Sequence, residues 1–187
     1  MTEITYYVAA TLDGFIAGQQ GELDWLHPFE QAGTDYGLAD FMATVDGLAM
    51  GRGTYEVTRS FGDWPYGERP AWVLSRQVAP AEGALPSCVH WGAAQPRDLV
   101  AQWSGWGLQH VWLVGGGQVA GQFLQAGLVD HLMLATIPVT LGAGLPLWGA
   151  QRPMSPQHWA LHAHQAYPNG VLTQHFRRLA EAAAPGG

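Results

Sequence analysis

The glycines Gly115, Gly116 and Gly117 directly follow an apolar run at residues 111–114 and precede a segment with helical periodicity. The apolar run is typical of a buried strand, and the glycines let the backbone turn tightly with no Cβ in the way. In the next segment Val119 and Phe123 share one apolar face, as in an amphipathic helix. Unpaired N–H groups and the positive end of the helix dipole would then meet at one point, which favours a phosphate ligand.

The same stretch also fits a loose dinucleotide-binding fingerprint, with Gly115, Gly117 and Ala120 at the required spacing. That fingerprint needs an acidic residue about 20 positions further on, and Asp130 comes too early. We therefore interpret the glycines as a phosphate-binding turn outside a Rossmann domain. The alternative is that they serve only to make a tight turn.

Two further strand ends carry groups that bind phosphate. The short apolar segment 47–50 is followed by Gly51, Arg52 and Thr54, which repeats the order of strand, glycine and helix start with an arginine inside it. A third apolar strand, residues 71–76, ends at Ser75 and Arg76. A hydroxyl and a guanidinium side by side suit a charged phosphate group.

Two acidic residues are candidates for supplying a proton in catalysis. Asp35 lies three residues before Leu38, which begins an apolar helical stripe, so helical phase turns Asp35 towards the core. A buried carboxylate with a raised pKa could supply or relay a proton. The alternative is that Asp35 caps its helix. Asp13 is the rival acid, and its alternative role is the turn chemistry of an Asp-Gly pair with Gly14.

A metal site is a competing interpretation of the histidines near the C-terminus. His158, His162 and His164 would share one face of a strand, and His-x-His is a possible pair of metal ligands. No acid or cysteine lies near them in the sequence, so we favour solvent-facing histidines and predict no metal.

Composition narrows the class of protein. The chain has 187 residues, 48% of them hydrophobic and only 12% charged, which predicts one packed domain over residues 1–179 and a flexible tail over 180–187. The formal charge of −7 disfavours a nucleic-acid or anionic-membrane partner. A single cysteine, Cys88, suits a reducing compartment, and neither a signal peptide nor a membrane span is evident. We therefore expect a cytoplasmic protein that acts on a small molecule.

The elements that carry these residues alternate between strands and helices and end in a hairpin. Helices are expected near residues 38–45, 96–106 and 118–126, another helix begins within residues 51–56, and the pair Asn169-Gly170 marks a hairpin turn. This pattern predicts an α/β fold with a mostly parallel mixed sheet, helices on both faces and a C-terminal antiparallel hairpin.

Four stretches in this order resemble one known superfamily. Residues 11–17, 50–56, 73–76 and 114–117 are similar to the dihydrofolate reductase-like three-layer fold, and more closely to the C-terminal reductase domain of bifunctional riboflavin-biosynthesis deaminase-reductases and its stand-alone relatives. Residues 127–132, 138–144 and 169–171 also match, so the resemblance extends from about residue 3 to residue 178. It implies a homodimer.

The resemblance also implies NADPH as the cofactor. Arg52, Ser75 and Arg76 would lie near the adenosine 2′-phosphate, residues 115–118 would hold the pyrophosphate, and residues 12–16 would cover the nicotinamide. Two helix N-termini suit the diphosphate, and two arginines suit a 2′-phosphate that NADH lacks. The residues expected to bind the cofactor are Ala10, Leu12, Ile16, Gly51, Arg52, Thr54, Ser75, Arg76, Val114, Gly115, Gly116, Gly117 and Gln118.

The resemblance is compatible with more than one substrate. Asp35 lies near the place where dihydrofolate reductases keep the acid that binds the pterin, and riboflavin reductases have an aspartate like Asp13 near their substrate. Riboflavin reductases also usually carry a lysine on the first strand, where this chain has Tyr6 and Tyr7. The resemblance therefore implies a reductase of a small heterocyclic or carbonyl compound, such as 5-amino-6-(5-phosphoribosylamino)uracil or dihydrofolate. The alternative is a module that binds NADP(H) without catalysis.

Overall fold

A computed structural model describes residues 1–30, 33–81, 85–150 and 156–180 of the chain. It contains strands β1 (Glu3–Thr11), β2 (Phe15–Ala17), β3 (Gly47–Gly51), β4 (Ala71–Leu74), β5 (Val89–Gly92), β6 (His110–Gly115), β7 (His131–Ile137), β8 (Leu145–Pro146), β9 (Trp159–Ala166) and β10 (Leu172–Arg178). The α-helices are α1 (Leu38–Thr44), α2 (Arg52–Ser60), α3 (Pro96–Gly105) and α4 (Gly117–Gln125), and a 3-10 helix covers Asp24–Phe29.

Eight strands form one mixed sheet in the order β5-β4-β3-β6-β1-β7-β10-β9. All pairs from β5 to β7 are parallel, whereas β10 pairs antiparallel with both β7 and β9. The predicted sheet with its C-terminal antiparallel hairpin is therefore confirmed. The residues of strand β1 are apolar on both faces of the sheet. Helices or loops can therefore cover both sides of this strand, which suits its central position.

Successive side chains of the central strands point to opposite faces of the sheet and build two separate cores. Val111 and Leu113 pack with α3 and α4, whereas Trp112, between them in β6, packs with α1 and α2. Both sets are buried, with Val111 and Leu113 fully inaccessible to solvent. The predicted helices on both faces are confirmed: α3 and α4 cover one face of the sheet, and α1 and α2 cover the other.

A second, two-stranded sheet was not expected from the sequence. Strand β2 pairs with β8, so that Phe15 lies opposite Pro146 and Ala17 opposite Leu145. The two strands have three and two residues, too few to show a periodic pattern, and about 130 residues separate them. The segment after β7, predicted as a loop, is thereby attached to the loop that follows β1.

Other sequence expectations differ from the structure at element ends or fall outside the described residues. The strand expected over residues 71–76 ends at Leu74. Of the predicted tail, residues 181–187 lie outside the described ranges. Among the helices within those ranges, none has the length and apolar character needed to cross a membrane.

Candidate functional site

The candidate site is a crevice between strands β3 and β6, which are neighbours in the sheet. Helix α2 starts directly after β3 and packs in the core that contains Tyr55, whereas α4 starts after β6 and packs in the core that contains Phe123. The two helices therefore leave the sheet on opposite faces. In open α/β sheets, strands that diverge in this way open a ligand crevice at their carboxyl ends. Here the crevice is a cleft of about 1510 Å³.

Both helix N-termini at the cleft lack a side-chain cap from any residue in the described ranges. Their N-cap residues are Gly51 and Gly116, and neither helix has an acidic residue in its first turn. The two starts are close together, since a Cβ on Gly51 would lie 3.3 Å from a side-chain methyl carbon of Val119. First-turn N–H groups and two helix dipoles are therefore directed at one cleft, as in phosphate sites.

The turn between β6 and α4 depends on glycine at specific positions. Gly115 has a φ of +140°, which side chains disfavour, and its peptide bond to Gly116 is cis. A Cβ on either residue would lie 3.5 Å from the Thr54 hydroxyl at the start of α2. The backbone of this turn and the first turn of α2 thus form one continuous wall of the cleft.

The positive charge of the cleft comes from the ends of β3 and β4. Arg52 Nη1 donates a hydrogen bond to Glu56 Oε1 over 2.6 Å, one helical turn away in α2. Arg76, just beyond β4, is exposed and has no hydrogen bond or ion pair to any residue that the structure describes. The neighbouring Ser75 hydroxyl accepts a hydrogen bond from the backbone N–H of Gln77 over 3.0 Å. This side of the cleft can therefore bind a dianion.

The opposite rim consists of the small sheet of β2 and β8. Leu147 N–H donates to the Gly14 carbonyl over 2.9 Å, and the Tyr6 hydroxyl donates to the Leu147 carbonyl over 3.1 Å. The segment 145–149 also lies directly against Gly117, where a Cβ would be 2.1 Å from the Pro146 carbonyl oxygen. The first residue of α4 is thus a glycine because backbone of another loop occupies the space beside it.

Most of the predicted cofactor residues come together in this one cleft. Those that line it are Ile16, Gly51, Arg52, Thr54, Ser75, Arg76, Val114, Gly115, Gly116, Gly117 and Gln118. Ala10 is buried and Leu12 is 63% exposed, and neither is among the residues that line the cleft.

Several residues that line the cleft were missed from the sequence. They are Val8, Gln19, Gln20, Glu56, Gln77, Asp98, Gln122, Leu145, Pro146 and Gly149. Glu56 and Gln77 lie close in sequence to the predicted arginines and could have been found from that spacing. The residues at 145–149 could not, because only the pairing of β2 with β8 brings them to the cleft.

The expectation that Asp35 is a buried carboxylate with a raised pKa is wrong. Asp35 is exposed, and its side chain accepts hydrogen bonds from the backbone N–H groups of Gly37, over 3.0 Å, and Ala39, over 2.8 Å. These hydrogen bonds lower the pKa of Asp35, and the bond from Ala39 contributes most. Helix α1 begins only at Leu38, so extending the helical phase back to residue 35 had no structural basis. The alternative, a cap on the first turn of α1, describes the contacts seen.

Asp13 is also exposed and ionised, and it connects two loops. Its carboxylate accepts hydrogen bonds from the Thr11 hydroxyl over 2.6 Å and from the N–H groups of Leu141 and Gly142, the latter over 2.7 Å. The Thr11 bond contributes most to lowering its pKa, and the backbone bonds act in the same direction. Asp13 thus joins the turn after β1 to the loop after β7, and it does not line the cleft.

We expect Asp13→Ala to release the loop at residues 141–142. Backbone hydrogen exchange at Leu141 and Gly142 should speed up, because both amides lose their acceptor. The lowered pKa adds a pH signature. In the wild type this contact is complete above the ordinary carboxyl pKa of 3.8 and is lost as the pH falls through the lower folded-state value. Asp35→Ala is the control and should leave these amides unchanged; equal protection in Asp13→Ala and wild type would contradict the loop connection.

The three histidines of the metal alternative do not share one face. His164 pairs with Gln174, whereas the ring of His162 packs against His175 with centroids 5.3 Å apart. Adjacent residues of a strand point to opposite faces, and a β-bulge after His175 shifts the register. Over the described part of the chain, no group of three or more His, Cys, Asp or Glu side chains is placed to hold a metal ion.

The mixed sheet, its terminal hairpin and the crevice between diverging helices define the class: a dihydrofolate reductase-like α/β domain. Within that class the chain belongs to the RibD C-terminal domain family, whose model matches residues 56–173.

Relatives and solved structures agree with this membership. The uncharacterized protein YwjB of Bacillus subtilis is 32% identical over 143 residues, which cover 76% of this chain and 80% of that protein. A solved structure of a protein from Shewanella sp. PV-4, which is provisionally assigned to riboflavin biosynthesis, has a TM-score of 0.85. It is 30% identical in sequence, and the match covers 96% of this chain and 100% of the Shewanella chain. A solved structure of a diaminohydroxyphosphoribosylaminopyrimidine deaminase/5-amino-6-(5-phosphoribosylamino)uracil reductase from Thermotoga maritima shares the fold, with a TM-score of 0.72. The sequence identity is 15%, and the match covers 95% of this chain and 57% of the Thermotoga maritima chain.

Proposed function

We propose that the protein is an NADPH-dependent reductase that transfers a hydride to a small heterocyclic or carbonyl compound. The observation that carries the proposal is the crevice between β3 and β6, where two uncapped helix starts and the side chains of Arg52 and Arg76 line one cleft. The family supports an oxidoreductase of the riboflavin-biosynthesis type. When bound, NADPH supplies the hydride; the protein binds, orients and shields it.

The residues of the cleft fit this cofactor. Its pyrophosphate suits the two helix starts, where Gly115 and Gly116 carry no side chain beside the Thr54 hydroxyl. The 2′-phosphate suits the guanidinium groups of Arg52 and Arg76, since a dianion and paired cations form strong charge-assisted hydrogen bonds. The apolar side chains of Val8, on β1, and Ile16, on the opposite rim, would keep water from the nicotinamide.

Neither predicted acid has the properties of a proton donor in the free protein, because both Asp13 and Asp35 have lowered pKa values. A catalytic role for either stays a prediction. It requires that Asp13→Asn or Asp35→Asn removes the basic limb of the pH profile for turnover. If neither substitution alters the profile, neither aspartate supplies the proton.

A second candidate is a module that binds NADP(H) without consuming it. The acidic residues that line the cleft are Glu56, which is paired with Arg52 in α2, and Asp98, in the first turn of α3. Among the described residues, β1, β2 and β8, which carry Val8, Ile16 and the opposite rim, contribute no carboxylate to the lining of the cleft. This observation favours binding without turnover, and only activity distinguishes the two candidates.

The test is a titration with NADPH and, separately, NADH, read by tryptophan fluorescence. Trp91 is a suitable reporter because its indole N–H donates to the carbonyl of Gln77, which lines the cleft, over 3.0 Å. We expect tighter binding of NADPH than of NADH. Oxidation of NADPH is then followed with aminouracil ribosides, dihydrofolate and small carbonyl compounds. Binding of neither nucleotide would overturn the proposed function, and binding without oxidation would favour the module.

We also propose that the protein acts in the cytoplasm as a homodimer. The support for the compartment is the biosynthetic family and the single cysteine, and for the dimer it is the family resemblance alone. Size-exclusion chromatography with light scattering would test the dimer, and a single species at the monomer mass of 20.2 kDa would contradict it.

A further inference from the structure

The two arginines proposed for the 2′-phosphate differ in their surroundings. Arg52 is bound by Glu56 through a 2.6 Å contact between Nη1 and Oε1, whereas Arg76 has no such partner within the described residues. Glu56 itself lines the cleft, so its carboxylate lies beside the space assigned to the phosphate. Both side chains of the pair are accessible, at 42% for Arg52 and 54% for Glu56, so a ligand can reach either.

This arrangement has an electrostatic consequence for an anionic ligand. A guanidinium already bound to a carboxylate contributes little net charge, and a phosphate that approaches it is repelled by the carboxylate. The phosphate must then displace Glu56 from Arg52 or bind to a neutralised pair. The cost applies to a dinucleotide with a 2′-phosphate, because one with a 2′-hydroxyl brings no charge to this position. A carboxylate can instead accept a hydrogen bond from a ribose hydroxyl.

We propose that Glu56 is a specificity-determining residue that lowers the preference of the site for NADPH over NADH by competing with the 2′-phosphate for Arg52. The inference rests on the proposed function, since it assigns the end of the cleft near Arg52 to the adenosine ribose. Glu56 therefore neutralises the charge of Arg52 in the free protein, and Arg76 is the cation that can bind the 2′-phosphate directly.

The test compares Glu56→Gln with Asp98→Asn. Each removes one negative charge from the lining of the cleft and keeps the size of the side chain, but only the first frees Arg52. Dissociation constants are measured for NADPH, NADH and adenosine 2′,5′-bisphosphate in wild type and both variants. We expect Glu56→Gln to bind NADPH and the bisphosphate about 3- to 10-fold more tightly while NADH changes less than about twofold. Asp98→Asn should change the ratio of the two affinities by less than about twofold.

A double variant separates competition from simple repulsion. The second comparison adds Glu56→Gln to the Arg52→Ala variant. In that background Glu56→Gln should raise the ratio of NADPH to NADH affinity less than it does in the wild type, because there is no Arg52 guanidinium to release. A weaker affinity for NADPH in Glu56→Gln would mean that Glu56 positions Arg52, and it would overturn the inference. Equal gains in Glu56→Gln and Asp98→Asn would also overturn it. Each of these results leaves the proposed function standing, whereas a wild type that binds neither dinucleotide overturns both.

Discussion

Replacing Gly117 with alanine should disrupt the cleft more severely than any other single-methyl change in it. The added Cβ would lie 2.1 Å from the Pro146 carbonyl oxygen, 2.7 Å from Gly149 N and 3.1 Å from the Leu147 carbonyl oxygen. All three neighbours are backbone atoms, so no side chain can rotate away to make room. The segment 145–149 must therefore move away from the start of α4.

Two measurements follow from this displacement. Overpacking against rigid neighbours costs about 1–3 kcal/mol, and for a domain of this size that lowers the Tm by about 2–12 °C. We further expect NADPH affinity to fall by about 100-fold or more, because the backbone N–H groups at residues 117–118 and the rim at residues 145–149 both shift.

Gly105→Ala is the matched control for the Gly117 variant. Gly105 is also a helical glycine, at the end of α3, and a Cβ there would meet no atom within 4 Å. Its Tm should be unchanged or slightly raised, since alanine restricts the unfolded chain more than glycine does. If Gly117→Ala bound NADPH like the wild type, the contact between α4 and residues 145–149 would be irrelevant to the site.

Replacing Arg52 and Arg76 together with alanine should abolish the discrimination between NADPH and NADH. Hydrogen bonds to charged groups contribute about 1.5–3 kcal/mol each, so a lost guanidinium should weaken NADPH binding by about 10- to 100-fold. NADH, which has no phosphate at this position, should change less than about threefold. Because Glu56 occupies Arg52 in the free protein, we expect the Arg76→Ala single variant to lose at least as much NADPH affinity as Arg52→Ala.

Arg177→Ala is the control for the removal of positive charge. Arg177 lies exposed on β10, on the far side of β7 and β1 from the cleft strands, and it is not part of the cleft lining. The measurement is again fluorescence titration with both dinucleotides. Equal losses for NADPH and NADH in the double variant would contradict the assignment of these arginines to the 2′-phosphate.

Local sequence carried much of the information about the two strand–turn–helix units. Gly115 is required by the backbone of its own turn, and Gly51 and Gly116 precede their helices directly, so the chemistry of each turn can be recognised within ten residues. The apolar runs that precede these turns likewise indicated the strands β3 and β6. These features depend on backbone conformation and short-range periodicity, which neighbouring residues determine.

The contact of Asp13 with the loop after β7 could not be predicted in this way, whereas a helix cap was one of the two roles expected for Asp35. Asp35 was assigned to a helical face by counting back from Leu38, but the helix starts after it and its carboxylate turns to the helix N-terminus. Asp13 is bound by the backbone of Leu141, 128 residues away. An aspartate next to a glycine is compatible with a turn, a cap or a catalytic site, and only the partners that fold against it select one of these.

The sequence by itself determined the order of the main strands and helices and the mixed sheet with its terminal hairpin. Tertiary structure alone decided that β3 and β6 are neighbours with helices on opposite faces, and that residues 145–149 pack on Gly117. The physical reason is that turns and helix starts are stabilised within a few residues. A cleft, by contrast, forms from strand ends and loops whose proximity depends on closing loops of many tens of residues.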